Sequence, residues 1–101
     1  MAVNTWTGAT DTDFGTAGNW NTTGATDRVP TNADDVVIPN VTNDPVLDTT
    51  YTINSLTISS GGNLDGDNNE LTIDGESGGG LAADIDGGIV GTDTDITITT
   101  A

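Results

Sequence analysis

The feature that most constrains this chain is its punctuation: short runs of alternating Ile, Leu and Thr, cut off from one another every few residues by Gly and Asn. Leu56-Thr57-Ile58 recurs as Leu71-Thr72-Ile73 fifteen positions later, and Ile96-Thr97-Ile98 closes the series. Gly62-Asn63-Leu64 is answered by Gly79-Gly80-Leu81, seventeen positions on. Strand signals fall at 35–38, closed by Pro39; at Val46-Leu47, behind Pro45; and at 52–58, 70–73, Ile85, Ile89-Val90 and 95–99. No segment carries helical periodicity, since Ala, Leu, Glu and Lys are scarce where Thr, Gly, Asn and Asp abound. At most, 12–20 holds one helical turn, with Asp13 as its N-cap.

Strands of three to five residues on a repeat of 15 to 18 are too short for ordinary hairpins. They predict an all-β, single-domain fold over 1–101, a β-solenoid in which each turn of the coil is one rung. Residues 1–34 form a capping segment and 35–101 the rungs in this reading. An antiparallel β-sandwich is the alternative, because Thr/Ile alternation suits both. The expected core is Trp6, Phe14, Trp20, Val36, Ile38, Val46, Ile53, Leu56, Ile58, Leu64, Leu71, Ile73, Leu81, Ile85, Ile89, Ile96 and Ile98.

Composition then narrows the chemistry. Leu, Ile, Val and Phe make up only 21 of 101 residues, at the edge of what disordered chains show. Sixteen acids face one basic side chain, Arg28, for a net charge of −15. The absence of Cys, His and Lys leaves no thiol, imidazole or amine side chain for nucleophilic or base chemistry at neutral pH, so no catalytic residue and no enzyme is expected. Zinc sites of the Cys/His kind are excluded, as is nucleic-acid binding, which requires clustered Lys and Arg. Apolar runs reach only three residues, as at Val36-Val37-Ile38, so no membrane partner is expected. The start at Met1 shows no basic, apolar export signal, which predicts synthesis in a host cytoplasm.

The amino-terminal third carries a recognisable text: Trp6-Thr7-Gly8-Ala9, Asp13-Phe14, Gly18-Asn19-Trp20, Arg28-Val29-Pro30-Thr31 and Asp34-Asp35-Val36-Val37-Ile38-Pro39. This text resembles the opening module of bacterial surface adhesins and autotransporter-like passengers, and 51–64 and 68–81 resemble two of their rungs. The resemblance implies a small right-handed parallel β-helix with an N-terminal Trp-containing cap. Trp6 and Trp20 are the structural cap residues, large enough to cover the open end of a coil.

Acid clusters raise the question of calcium. Asp65, Asp67 and Asn69 place oxygen ligands at alternate positions, and Glu76 falls twelfth from Asp65. The sixth position is Glu70 where an EF-hand loop requires Gly, and the glycine-rich nonapeptide of β-rolls is incomplete at 61–65. The pairs Asp11/Asp13, Asp84/Asp86 and Asp93/Asp95 would each share one face of an extended strand; solvated acidic turns are the plain reading of these clusters and a weak hard-cation site the alternative. Asp65, Asp67 and Asn69 are the candidate calcium ligands, set against an expectation of no cofactor.

A short, acidic β protein without catalytic groups must tolerate its self-repulsion, work at high ionic strength, bind cations or dock on a basic surface. The expectation is a structural virion protein, decorating and cementing the outer capsid of a bacteriophage. Its expected partner is the major capsid protein or another basic protein surface, and it is expected to be a homo-oligomer, with a trimer among the forms. The alternative is a carbohydrate- or protein-binding module of an adhesin on the bacterial cell surface.

Overall fold

The computed structural model describes residues 2–75, 82–91 and 94–98. Ten strands are present among them: β1 (Ala2–Trp6), β2 (Trp20–Thr22), β3 (Asp34–Ile38), β4 (Tyr51–Ile53), β5 (Ser55–Ile58), β6 (Asn63–Asp65), β7 (Glu70–Ile73), β8 (Ala83–Ile85), β9 (Gly88–Val90) and β10 (Asp95–Ile98). The described residues contain no α-helix, and no helix long and apolar enough to cross a membrane. The fold is all-β.

Three sheets share the strands. The first has the order β2-β1-β3-β5-β8, the second β10-β7-β4, and the third pairs β6 with β9. Isolated bridges, Asp13 to Val46 and Val46 to Asp65, extend the third sheet. Among the described strands only β1–β2 is antiparallel; the other pairs are parallel. Parallel neighbours need a long return path, usually a helix. Here the return from β3 to β5 passes through Val46 and β4, and the return from β5 to β8 passes through β6 and β7. From β3 onward, successive segments therefore visit the first, third and second sheets in rotation.

Side-chain columns follow from this register. Ile38, Ile58 and Ile85 stack in the first sheet, Ile53, Ile73 and Ile98 in the second, and Leu64 under Ile89 in the third. Period-two alternation sends these residues inward, and burying each Leu or Ile in full contributes about 1.5–3 kcal/mol. Among the described residues twelve apolar side chains form the buried core: Trp6, Phe14, Trp20, Val36, Ile38, Leu47, Ile53, Leu56, Ile58, Leu64, Leu71 and Ile73.

Several expectations need correction. The fifteen-residue recurrence does not join neighbouring strands. Leu56-Thr57-Ile58 lies between Val36-Val37-Ile38 and Ala83-Asp84-Ile85, whereas Leu71-Thr72-Ile73 pairs with Tyr51-Thr52-Ile53 and Ile96-Thr97-Ile98. Repeats on adjacent strands of one sheet are spaced by twenty residues or more, as for Leu56 after Val36 and Ile96 after Leu71. Asn63-Leu64-Asp65 is answered by Gly88-Ile89-Val90; Gly79-Gly80-Leu81 lies outside the described residues, as does Asp93. Leu47 is buried where Val46 was expected, and Val46 is half-buried. Ile85 and Ile98 are exposed rather than core. The single helical turn is a 3-10 turn at Ala17–Asn19, preceded by Thr16, and Asp13 is not its cap. The Asp13 carboxylate instead accepts the Gly15 N–H at 2.9 Å.

Candidate functional site

Trp6, on β1, and Trp20, on β2, face each other in register across the antiparallel pair. Their rings meet edge-to-face at 5.2 Å, and Phe14 meets Trp20 in the same manner at 4.8 Å. All three are buried. Each indole has its hydrogen-bond partner: Trp6 Nε1 donates to Asn43 O at 2.6 Å and Trp20 Nε1 to Phe14 O at 2.8 Å. Buried indole N–H groups demand such partners. Phe14 also contacts Tyr51 at 4.5 Å, linking this cluster to β4.

Polar side chains that composition alone would place on the surface hold the cluster together. Asn19 is fully buried and fully satisfied. Its Oδ1 accepts the Thr10 and Asp11 N–H groups at 2.8 and 2.9 Å. Its Nδ2 donates to Asp11 Oδ1 at 2.6 Å and to Asp13 O at 2.9 Å. The amide of Asn19 and the backbone N–H of Asp13 together hold the Asp11 carboxyl below its ordinary pKa. Asn19 therefore closes the 10–19 loop, which accounts for the Gly18-Asn19-Trp20 text.

A second polar knot lies beside Asn4, also buried. Asn4 Nδ2 donates to Arg28 O at 2.9 Å, and its Oδ1 accepts from Thr22 Oγ1 at 3.0 Å. Asp34 is completely buried at the head of β3, where its Oδ2 accepts the Thr31 N–H at 3.0 Å and its Oδ1 pairs with Arg28. The only basic side chain of the protein is thereby committed to a buried carboxylate. Period two, counted back from Ile38 through Val36, points Asp34 inward, so this pair had a readable signal.

The candidate calcium ligands have other partners. Asp67 and Asn68 adopt left-handed backbone, with φ of 45° and 63°, and the Asn69 N–H donates to Gly66 O at 2.9 Å. Two central residues of positive φ inside such a bond make a type I′ turn, which favours Asp and Asn. Asp65 Oδ1 accepts the Asp67 N–H, and Asn69 Nδ2 donates to Leu47 O and Asp67 O, each at 3.0 Å. The residue pattern is accounted for as the corner between β6 and β7. No group of three or more acidic, His or Cys side chains suited to a metal ion occurs among the described residues. Glu76 lies outside them.

At the start of β4 the Tyr51 hydroxyl donates to Asp48 Oδ1. Burial first, then this bond and the charges of Asp48 and Asp13, push the phenol well above its ordinary pKa of 10.0.

The far end differs. Strands β8, β9 and β10 are each the last of a sheet and pair on one side only among the described strands. Down the Ile columns of the first and second sheets, exposure appears only at this layer, while Ile89 ends the third column half-buried. Ile38 and Ile58 are 0% exposed and Ile85 is 39%, while Ile53 and Ile73 are 0% and Ile98 is 52%. Val90 adds a third apolar side chain at this end. Exposed acids Asp84, Asp86 and Asp95 flank them.

The family model of the domain of unknown function DUF8693 matches residues 5–95. The chain belongs to this family. The DUF8693 match takes in the aromatic cluster, the Asn19 knot, the second knot except Asn4, and the strands of the far end through the start of β10. No curated protein and no solved structure matches the chain.

Proposed function

We propose that this DUF8693 chain is a non-enzymatic structural protein that docks on a larger protein shell, the outside of a bacteriophage head, as a small right-handed parallel β-helix. Rotation of successive segments among the three sheets, with parallel pairing inside each, supports the coil reading. Parallel crossovers are almost always right-handed. In this reading Trp6 and Trp20 seal the first turn, and the similarity to adhesin β-helices extends to architecture rather than to a cell-surface role.

The observation that carries the docking role is the pairing of an open apolar end with a charge of −15 whose sole basic side chain is already bound to Asp34. Apolar edges of this kind associate with whatever fits them. Uniform negative charge restricts that choice to a basic surface such as a major capsid protein. Homo-oligomers, trimers among them, belong to the same proposal.

The test is immunogold labelling of phage particles and host cells from a culture producing the protein. Label on the heads, at a density comparable to the capsomers, is expected. Label confined to the bacterial envelope overturns the shell role in favour of an adhesin.

A further inference from the structure

Taking the docking role proposed above, we infer that the β8–β9–β10 end is the docking surface, and that its occupant is an extended segment of a partner protein, apolar on one face and carrying Lys or Arg beside it. Two observations converge on this end. Each of its strands has a backbone edge unpaired by any described strand. Two interior columns end there in side chains that would be buried by one more layer: Ile85 and Ile98 continue columns whose earlier members are fully buried. Strand addition satisfies both needs at once, since backbone groups pair along the edge while alternate side chains cover the exposed Ile residues.

Charge selects the occupant. Asp84, Asp86 and Asp95 are exposed around the apolar residues, and Arg28 is held by Asp34 on β3, two strands removed from β8. A second copy of the chain would bring the same three acids against these, within a Debye length of about 10 Å at 0.1 M salt. A segment bearing Lys or Arg turns that repulsion into attraction and fits the same edge.

Two synthetic heptapeptides of equal charge, one alternating Lys and Val and the other alternating Lys and Pro, separate strand addition from simple charge attraction. Proline cannot donate to a ladder. In amide NMR titrations of the whole chain, the Lys/Val peptide is expected to shift resonances of 83–85, 88–90 and 95–98, and the Lys/Pro peptide to leave them in place. Ile98→Glu is expected to weaken Lys/Val binding about tenfold or more by placing a charge in the apolar contact. Thr52→Glu, on β4 at the opposite edge of the same sheet, is expected to leave it unchanged. Ile85→Glu gives the same reading should Ile98→Glu fail to fold. Equal shifts from both peptides, or shifts confined to other acidic surfaces, would each overturn the assignment. Label on phage heads without peptide binding at this end refutes this surface and leaves the shell role standing; peptide binding here without label on heads does the reverse.

Discussion

Replacing Trp6 is the sharpest test of how the first strands are closed. The ring is 0% exposed, packs edge-on against Trp20 at 5.2 Å, and donates its N–H to Asn43 O at 2.6 Å. Truncating a buried Trp to Ala costs about 3–5 kcal/mol from lost transfer energy and the cavity left behind. Against a total stability of about 5–15 kcal/mol for a domain of this size, that is about a fifth or more. Trp6→Phe separates the contributions: it keeps a ring and loses the N–H, leaving the Asn43 carbonyl unpaired at a cost of about 1–3 kcal/mol. Asn43 also donates to Gly8 O at 2.9 Å, so the loss loosens the clasp between the 7–9 and 41–44 loops. Urea unfolding followed by far-ultraviolet circular dichroism, at fixed salt, gives both values from the midpoints if the slopes match. A loss below about 1 kcal/mol for Trp6→Ala would refute the sealing role outright. Equal losses for Trp6→Ala and Trp6→Phe would locate the effect in one hydrogen bond rather than in the covering ring.

Further outcomes follow from the columns and the charges. Ile73→Ala, at a fully buried position, should cost about 2–5 kcal/mol, and Ile98→Ala, one layer on and half exposed, about 1 kcal/mol or less; similar losses in urea melts would mean that Ile98 is covered in solution. Because the Tyr51 phenol is raised above its unfolded value of 10.0, its contribution is complete below that pH and declines as pH rises through the higher folded value; phenolate absorbance should appear only with unfolding, and Tyr51→Phe should remove that part of the alkaline loss. With sixteen acids against one base, raising NaCl from about 0.01 to 1 M, which shortens the Debye length from about 30 to 3 Å, should stabilise the fold by on the order of 1 kcal/mol; a falling urea midpoint would show that the Arg28–Asp34 pair outweighs the repulsion.

Fold class was legible because Thr/Ile alternation and Gly/Asn punctuation are local. Which strands meet was not. Leu56-Thr57-Ile58 and Leu71-Thr72-Ile73 are alike because each belongs to a wall with the same in-out-in demand, so their likeness reports equal environments in different sheets rather than neighbours in one sheet. Parity fails in the same way at Pro45-Val46-Leu47. A segment this short has no internal alternation to set its inward face, and a shift of one residue reverses every side chain. The chosen parity buries Pro45 and Leu47 and turns Val46 aside. The aromatic part of the closed end was visible, since Trp, Phe and Trp have few other places to go. Its polar part was hidden, because Asn4, Asn19, Thr22 and Asp34 belong to the residue types that crowd the surface of so acidic a chain. Their burial is made tolerable only by partners up to thirty positions away, as Asn4 and Asp34 are from each other.

The two ends of the sheets meet the same physical problem in opposite ways. A sheet edge presents unpaired backbone groups and an unfinished apolar layer, and both invite indiscriminate pairing. At β1 the edge is taken by an antiparallel neighbour, the rings of Trp6 and Trp20 fill the layer, and Asn4, Thr22, Arg28 and Asp34 satisfy one another beside it. At β8, β9 and β10 the described residues supply no such closure, and the flanking side chains are acids without cations. Negative charge cannot satisfy a backbone edge or cover an Ile, but it raises the cost of every approach by a like-charged surface. Specificity then comes from what is repelled as much as from what is attracted. An end closed by chemistry and an end guarded only by charge are what a protein needs if one surface is to stay available for one kind of partner.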